Sequence, residues 1–274
     1  MPSEKRQRQD EGRLIRLEAE RQAAQSARRA SGTRYAILAV VGIFAIGLVI
    51  AFLPGKDKGS SPSANDVTTT TALDIPIPPA GATIKGETPC PAADGSSKRT
   101  TTFAKAPPTC IDASKAYTAL IKTSEGDITV ALDAKTAPIT VNNFVVLSRY
   151  HFYDGVAWHR IIPGFMDQTG DATGPTPGAG DPGYEIKDEL PASVDVYTTG
   201  SVVMANSGQP DSGGSQFFIT VEGGGQRLGP SYSRFGSVTK GQDVVDAINQ
   251  YGDAATDGAP TKLVTITSIT ITES

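Results

Sequence analysis

From residue 117 to the C-terminus, the chain consists mainly of short segments in which apolar and polar residues alternate. Residues 117–123, YTALIKT, and residues 127–132, DITVAL, flank the turn residues 124–126 and predict a β-hairpin. Residues 262–272, KLVTITSITIT, alternate valine or isoleucine with threonine and predict another strand. The alternation changes register at Thr267, which is compatible with a β-bulge.

Two segments have the periodicity of helices. Residues 136–150, TAPITVNNFVVLSRY, offer Thr136 as a candidate N-cap and Pro138 in the first turn. Residues 240–252, KGQDVVDAINQYG, form a second candidate helix that ends at Gly252. Many short strands with few helices predict a mainly β domain, built as a closed β-barrel that two α-helices cap.

A long apolar run precedes this domain. Residues 35–53, YAILAVVGIFAIGLVIAFL, contain no charged residue and would form a helix of about 29 Å at ~1.5 Å per residue, enough to span a bilayer. A cleaved signal peptide has a shorter apolar run followed by small residues, whereas Phe52, Leu53 and Pro54 end this one. We therefore predict an uncleaved transmembrane anchor.

The charges before the anchor predict its orientation. Residues 1–34 contain 9 Lys or Arg and 5 Asp or Glu, although the whole chain has a formal net charge of −4. Arginines at positions 28, 29 and 34 crowd the flank of the run, so residues 1–34 are expected in the cytoplasm and the rest outside the cell membrane. The net charge gives no indication of nucleic-acid binding.

Residues 54–114 are rich in proline, serine, threonine and glycine, a composition that predicts an extended, flexible tether. Cys90 and Cys110 lie late in this segment, and an exported location favours their oxidation to one disulfide. Because both precede the predicted barrel, reduction is expected to leave the activity of residues 115–274 nearly unchanged. The two cysteines and two histidines match no metal-site spacing, so no metal or cofactor is predicted.

Several apparent motifs fail when their context is considered. Residues 178–183, GAGDPG, fit a dinucleotide-binding pattern, but no strand leads into them and Pro182 interrupts them. Residues 223–229, GGGQRLG, lack the Lys-Ser/Thr pair of a phosphate-binding loop. No serine lies in a Gly-x-Ser-x-Gly elbow, so a hydrolase or a kinase is not indicated.

Three other segments belong together. Residues 158–171, WHRIIPGFMDQTGD, residues 200–220, GSVVMANSGQPDSGGSQFFIT, and residues 227–238, RLGPSYSRFGSV, resemble in order and spacing the three signature segments of the cyclophilins. The resemblance covers roughly residues 117–272. It implies an eight-stranded antiparallel β-barrel with a helix at each end, a groove on the outer face, and peptidyl-prolyl cis/trans isomerase activity.

The resemblance also implies the site residues. It makes Arg160 and Gln168 the catalytic residues, with Gln168 holding the Arg160 guanidinium in place. The implied substrate-binding residues are Phe165, Met166, Ala205, Asn206, Gln216, Phe218, Leu228 and Tyr232. The chain departs from the family pattern at Arg227, where many members carry tryptophan, and at Tyr232, where many carry histidine. By contrast, Asp167, Asp171 and Glu185 are interpreted as solvated loop charges.

These residue types suit the isomerisation of an X–Pro bond. Rotation meets a barrier of about 18–20 kcal/mol because the amide nitrogen shares its lone pair with the carbonyl. No covalent bond changes, so a groove that binds the twisted amide better than the planar forms is sufficient. Arginine provides a permanent cation with a rigid fork of donors, and the apolar side chains provide a slot for the proline ring.

The sequence therefore predicts a membrane-anchored, extracytoplasmic isomerase with a monomeric catalytic domain. Its expected partners are proline-containing peptides, unfolded or exported proteins, and the membrane through residues 35–53. Two alternatives remain open at this point. One is a non-catalytic proline-binding or chaperone module on the cell surface, and the other is a cell-envelope scaffold that works through its tether and cytoplasmic head.

Overall fold

The computed structural model of the protein describes residues 73–274. The predicted head (1–34), the predicted anchor (35–53) and the first part of the predicted tether lie outside the described residues. Neither α-helix of the described part has the length and apolarity that a membrane crossing requires.

Twelve β-strands and two α-helices make up residues 73–274. The strands are β1 (Ala82–Ile84), β2 (Thr100–Phe103), β3 (Tyr117–Thr123), β4 (Gly126–Leu132), β5 (Arg160–Ile162), β6 (Met166–Thr169), β7 (Ser201–Met204), β8 (Phe217–Thr220), β9 (Arg234–Lys240), β10 (Gly252–Asp253), β11 (Ala259–Pro260) and β12 (Ile266–Glu273). The helices are α1 (Pro138–Arg149) and α2 (Gln242–Asn249).

Eight of the strands form one antiparallel sheet, in the order β12-β3-β4-β9-β7-β8-β6-β5. The predicted hairpin is confirmed as β3 and β4, and the predicted bulge lies between Ile266 and Ser268 of β12. Helix α1 begins at Pro138 as expected, but its N-cap is Ala137 rather than Thr136.

The prediction of a closed barrel was wrong. Strands β5 and β12 stand at opposite edges of the sheet and do not pair with each other. An isolated bridge between Ala157 and Thr265 and a few backbone hydrogen bonds connect residues 155–158 to residues 264–266. The reason lies in β5, which has three residues and whose Ile161 N–H donates to the carbonyl of Gly258 at 2.7 Å. The β10–β11 hairpin thus occupies the edge of β5 that a closing strand would need.

The core lies between the inner face of this sheet and α1. Residues 140–149 of α1 are all buried, and Phe144 packs against Tyr153, Phe217 and Phe235 with ring centroids 5.2–5.4 Å apart. Helix α2 buries one face through Val245, Ile248 and Asn249.

Part of the predicted tether is folded onto the domain instead of extending away from it. Strands β1 and β2 pair in parallel, and Phe103 of β2 is 1% exposed in the core, beside Tyr150 and Tyr184. The Phe103 N–H donates to the carbonyl of Pro182 at 2.8 Å. The predicted disulfide between Cys90 and Cys110 is present and closes the loop that carries β2. One buried phenylalanine and a disulfide compensate for the polar composition of this segment.

Candidate active site

Three neighbouring strands place residues from two of the sequence segments in one row. Arg160 of β5 lies opposite Gln168 of β6, and Gln168 lies opposite Phe218 of β8. Directly opposed residues of antiparallel strands project from the same face of a sheet. The guanidinium, the amide and the aromatic ring therefore share one face.

That face is the outer one. Phe217 packs in the core, and since successive side chains of a strand point to opposite faces, Phe218 points away from it. Phe218 joins a second apolar cluster with Met166 and Leu228, all at most 8% exposed.

The remaining apolar residues predicted for the site lie around this cluster. Phe165, Ala205 and Tyr232 are partly buried against it, and the Tyr232 ring meets the Phe218 ring edge-on at 5.7 Å. Tyr197, which sequence reasoning missed, is buried in the same cluster and donates its hydroxyl to the Tyr232 carbonyl at 2.7 Å. The structure thus brings together the predicted slot residues from all three segments.

Arg160 is held by a residue that sequence reasoning also missed. Its Nη2 donates to Oδ1 of Asp257 at 3.0 Å, and its Nε donates to the Asp257 carbonyl at 3.2 Å. The Arg160 side chain is 37% exposed and faces the cleft formed with Gln168 and Asn206. No sequence pattern links the two residues, which are 97 positions apart.

Gln168 has a different partner from the expected one. Its Nε2 donates to Oε1 of Gln216 at 3.0 Å, and within residues 73–274 it makes no hydrogen bond to Arg160. Gln216 in turn donates from Nε2 to the carbonyls of Gly178 and Gly180, each at 2.9 Å. The two amides therefore hold the loop at residues 178–180 against β6 and β8.

The second wall of the site is the segment after β7. The Ala205 N–H donates to the Gln216 carbonyl at 2.9 Å, and Asn206 donates from Nδ2 to the Ser231 carbonyl at 2.8 Å. A cleft between this segment and the loop at residues 178–180 is lined by Gln168, Ala205, Asn206 and Gln216.

Two carboxylates near the site are not the solvated loop charges that the sequence suggested. Asp171 is 4% exposed and accepts from the N–H groups of Thr173, Gly174 and Gly180, which shapes the loop that Gln216 contacts. Asp167 is fully buried on the core side of β6, where Asn249 donates to its Oδ1 at 2.7 Å. Burial raises the pKa of Asp167 to about 7. Glu185 alone among the three is exposed.

Two other side chains set the charge around the groove. The guanidinium of Arg227 lies 4.4 Å from the centre of the Phe165 ring, where it covers one wall of the apolar cluster by a cation–π contact. Burial lowers the pKa of His159, which precedes Arg160, and neither of its ring nitrogens has a hydrogen-bond partner within the described residues. His159 is therefore neutral at pH 7, and arginines supply the cations at the groove.

Comparison with known proteins gives one consistent result. Residues 118–271 match the family model for cyclophilin type peptidyl-prolyl cis-trans isomerases. The chain is 44% identical over 173 residues to the probable peptidyl-prolyl cis-trans isomerase A of Mycobacterium leprae, an alignment that covers 56% of this chain and 91% of the relative. It is 40% identical over 134 residues to a Helicobacter pylori peptidyl-prolyl cis-trans isomerase, covering 48% and 80%.

Solved structures agree with these matches. A cyclophilin type isomerase of Cryptosporidium parvum has a TM-score of 0.52 and 29% identity, with 57% of this chain and 98% of that chain covered. A structure of the same parasite protein in the presence of the dipeptide Ala-Pro has a TM-score of 0.51 and 30% identity over the same shares.

Proposed function

The chain belongs to the cyclophilin type peptidyl-prolyl cis-trans isomerases and is an enzyme of that class, and we propose that it acts by binding the twisted X–Pro amide. In this proposal the amide lies in the groove on β5, β6 and β8, and Arg160 donates to the prolyl nitrogen. The observation that carries this proposal is the row of Arg160, Gln168 and Phe218 across the three strands, which sets a cation beside an apolar slot.

The slot is suited to the proline ring. Phe218, Met166 and Leu228 present apolar surface that is already packed, so little side-chain freedom is lost when the ring enters. Phe165 and Tyr232 border this surface. These contacts are equally good for the planar and twisted amide, so they contribute binding rather than rate.

Arg160 supplies the rate-enhancing contact. As the X–Pro bond twists, the nitrogen becomes pyramidal and regains its lone pair, which a fixed N–H donor stabilises more than it stabilises the planar amide. Arg160 uses Nε and one Nη2 proton on Asp257, which leaves its other guanidinium N–H groups for the substrate. No proton is transferred and no nucleophile takes part.

The polar residues orient the peptide on either side of the ring. Gln216 accepts from Gln168 and gives both Nε2 protons to the loop carbonyls, so its role is to hold the groove wall. Asn206 donates one Nδ2 proton to Ser231, and the second is available to a peptide carbonyl. We assign Asn206 to the substrate backbone and Gln216 to the wall that the backbone lies against.

Arginine substitutions test the mechanism. Arg160→Ala removes one pre-organised donor, worth roughly 2.7–4 kcal/mol, and should lower kcat/KM about a hundred- to a thousand-fold with little loss of peptide binding. Arg160→Lys should stay impaired because the fork is lost. NMR exchange on a short X–Pro peptide measures the rate, and Lys240→Ala, an exposed cation outside the groove, controls for charge. If Arg160→Ala isomerised the peptide as fast as the parent, Arg160 would not be the donor that enhances the rate, and the proposed mechanism would be wrong.

We further propose that the enzyme works outside the cell membrane on exported proteins, anchored by residues 35–53 with the N-terminus in the cytoplasm and a monomeric catalytic domain. The support is the uncharged run with its arginine-rich leading flank. Protease added to intact cells should digest the domain and leave residues 1–34 protected. Full-length chain in the soluble cytosolic fraction would contradict this arrangement.

A further inference from the structure

The loop that contacts Arg160 is built as a defined turn. Strands β10 and β11 pair Asp253 with Ala259, and the turn between them contains Asp257 in the left-handed region, with φ 55° and ψ 32°. The Asp253 carboxylate accepts from the Ala255 N–H at 2.8 Å, and the Gly258 N–H donates to the Asp253 carbonyl at 3.0 Å. Asp257 therefore has a fixed backbone position.

The same turn is fastened to the strand that carries Arg160. Ile161 donates its N–H to the Gly258 carbonyl at 2.7 Å. A Cβ atom at Gly252 would lie 2.2 Å from the Ile161 carbonyl oxygen, so only glycine permits this close approach. Arg160 and Asp257 are consequently held beside each other by backbone contacts at the neighbouring residues.

Resting on the function proposed above, we propose that Asp257 is a positioning residue for Arg160. Its carbonyl and carboxylate oxygens accept from Nε and Nη2, and two contacts on one edge of a planar guanidinium fix both its direction and its rotation. The other N–H groups are left for the cleft that Arg160 shares with Gln168, beside which Phe218 lies in the next strand.

The negative charge of Asp257 and the restraint that it places on Arg160 have opposite effects on the rate, and the restraint is the larger effect. A carboxylate beside Arg160 reduces the positive field that the prolyl nitrogen experiences. However, the Asp257 side chain is 83% exposed, so water and salt screen its charge strongly. The restraint on the long Arg160 side chain is not screened, and a misplaced donor forfeits most of its benefit in the transition state.

The test compares two substitutions that both tolerate the left-handed conformation. Asp257→Gly removes the carboxylate, and Asp257→Asn keeps an oxygen acceptor at the same place. We expect Asp257→Gly to lower kcat roughly three- to tenfold with KM little changed, and Asp257→Asn to stay within about twofold of the parent. Asp243→Ala, which removes an exposed carboxylate from the first turn of α2, is the matched control and should leave the rate unchanged.

A double-mutant cycle separates positioning from a general effect on the fold. In the Arg160→Ala background, measured at higher enzyme concentration, Asp257→Gly should cause no further loss because the residue that it positions is gone. Equal losses in both backgrounds would overturn the proposal, as would a parental kcat for Asp257→Gly or an Asn variant as slow as the Gly variant. If instead Arg160→Ala retained parental activity, the proposed mechanism itself would fail, which is a different result.

Discussion

Gln168 and Gln216 are joined by a side-chain hydrogen bond of 3.0 Å, in which Nε2 of Gln168 donates to Oε1 of Gln216. Because both Nε2 protons of Gln216 are used on Gly178 and Gly180, this bond fixes which way the Gln216 amide faces. It connects the catalytic row on β6 to the loop that forms the groove wall.

Gln216→Ala should therefore weaken peptide binding. The substitution removes two hydrogen bonds to the loop, at about 1 kcal/mol each, and should raise KM roughly tenfold while kcat changes little. Amide hydrogen exchange across residues 176–180 should accelerate in the same variant, because the loop is released. Unchanged exchange together with unchanged KM would show that Asp171 alone is sufficient to hold this loop.

The apolar slot could be predicted from the sequence, whereas the contact between Arg160 and Asp257 could not. The apolar slot was predictable because the three segments resemble the signature segments of the cyclophilins, and that resemblance named its residues. The partner of Arg160 was not predictable, since Asp257 lies in a turn near the C-terminus that is brought to Arg160 by backbone contacts of Gly252 and Gly258 with Ile161.

Burial of charge was equally hidden from the sequence. Asp167 follows Met166 in a strand that alternates between the slot and the core, and its carboxylate ends on the core side.

The packing of residues 82–103 was missed for a related reason. Composition averages over a segment, whereas a single large side chain, Phe103, enters the core.

Asp167 should make stability depend on pH. Its pKa of about 7 in the folded protein lies above the ordinary value of 3.8. Between pH 4 and pH 7 the folded protein therefore keeps a proton on Asp167 that the unfolded chain has released. As a result, Asp167 lowers the free energy of unfolding progressively as pH rises from about 4 to about 7. The full effect above pH 7 is on the order of 4 kcal/mol.

Asp167→Asn mimics the protonated carboxyl and should remove that dependence. The free energy of unfolding of the variant, minus that of the parent, should increase from pH 4 to pH 7.5 in urea titrations. Asp243→Asn changes an exposed carboxylate and should show no such trend. A difference that stays constant across this range would mean that Asp167 is ionised in the folded protein throughout.

Reduction of the disulfide should lower stability without changing the chemistry. Cys90 and Cys110 are separated by 20 positions, and in the chain-entropy account a loop of that size contributes about 3 kcal/mol. Tm should fall by roughly 6–12 °C on reduction, while kcat/KM at 25 °C stays close to the oxidised value because no groove residue lies in the loop. The Cys90→Ser/Cys110→Ser double variant should have the Tm of the reduced protein, and added reductant should not change that Tm. A loss of activity well below the reduced Tm would instead show that the loop reaches the groove.

Phe103 offers the sharpest test of whether residues 82–111 are part of the catalytic domain. Its ring centroid lies 5.4 Å from that of Tyr150 and 6.1 Å from that of Tyr184, so Phe103→Ala should cost roughly 3–5 kcal/mol of unfolding free energy in urea titrations. Phe103→Leu should cost much less. Gly183→Ala should also destabilise the packing of β2, since its Cβ would lie 2.3 Å from the Phe103 carbonyl oxygen and the φ of Gly183 is +101°. In the two Phe103 variants the backbone N–H that donates to Pro182 remains, so kcat/KM of the folded fraction should be nearly parental. If Phe103→Ala unfolded at the same urea concentration as the parent, β2 would be a dispensable attachment, and a chain beginning at residue 115 would be expected to fold as well as the longer one.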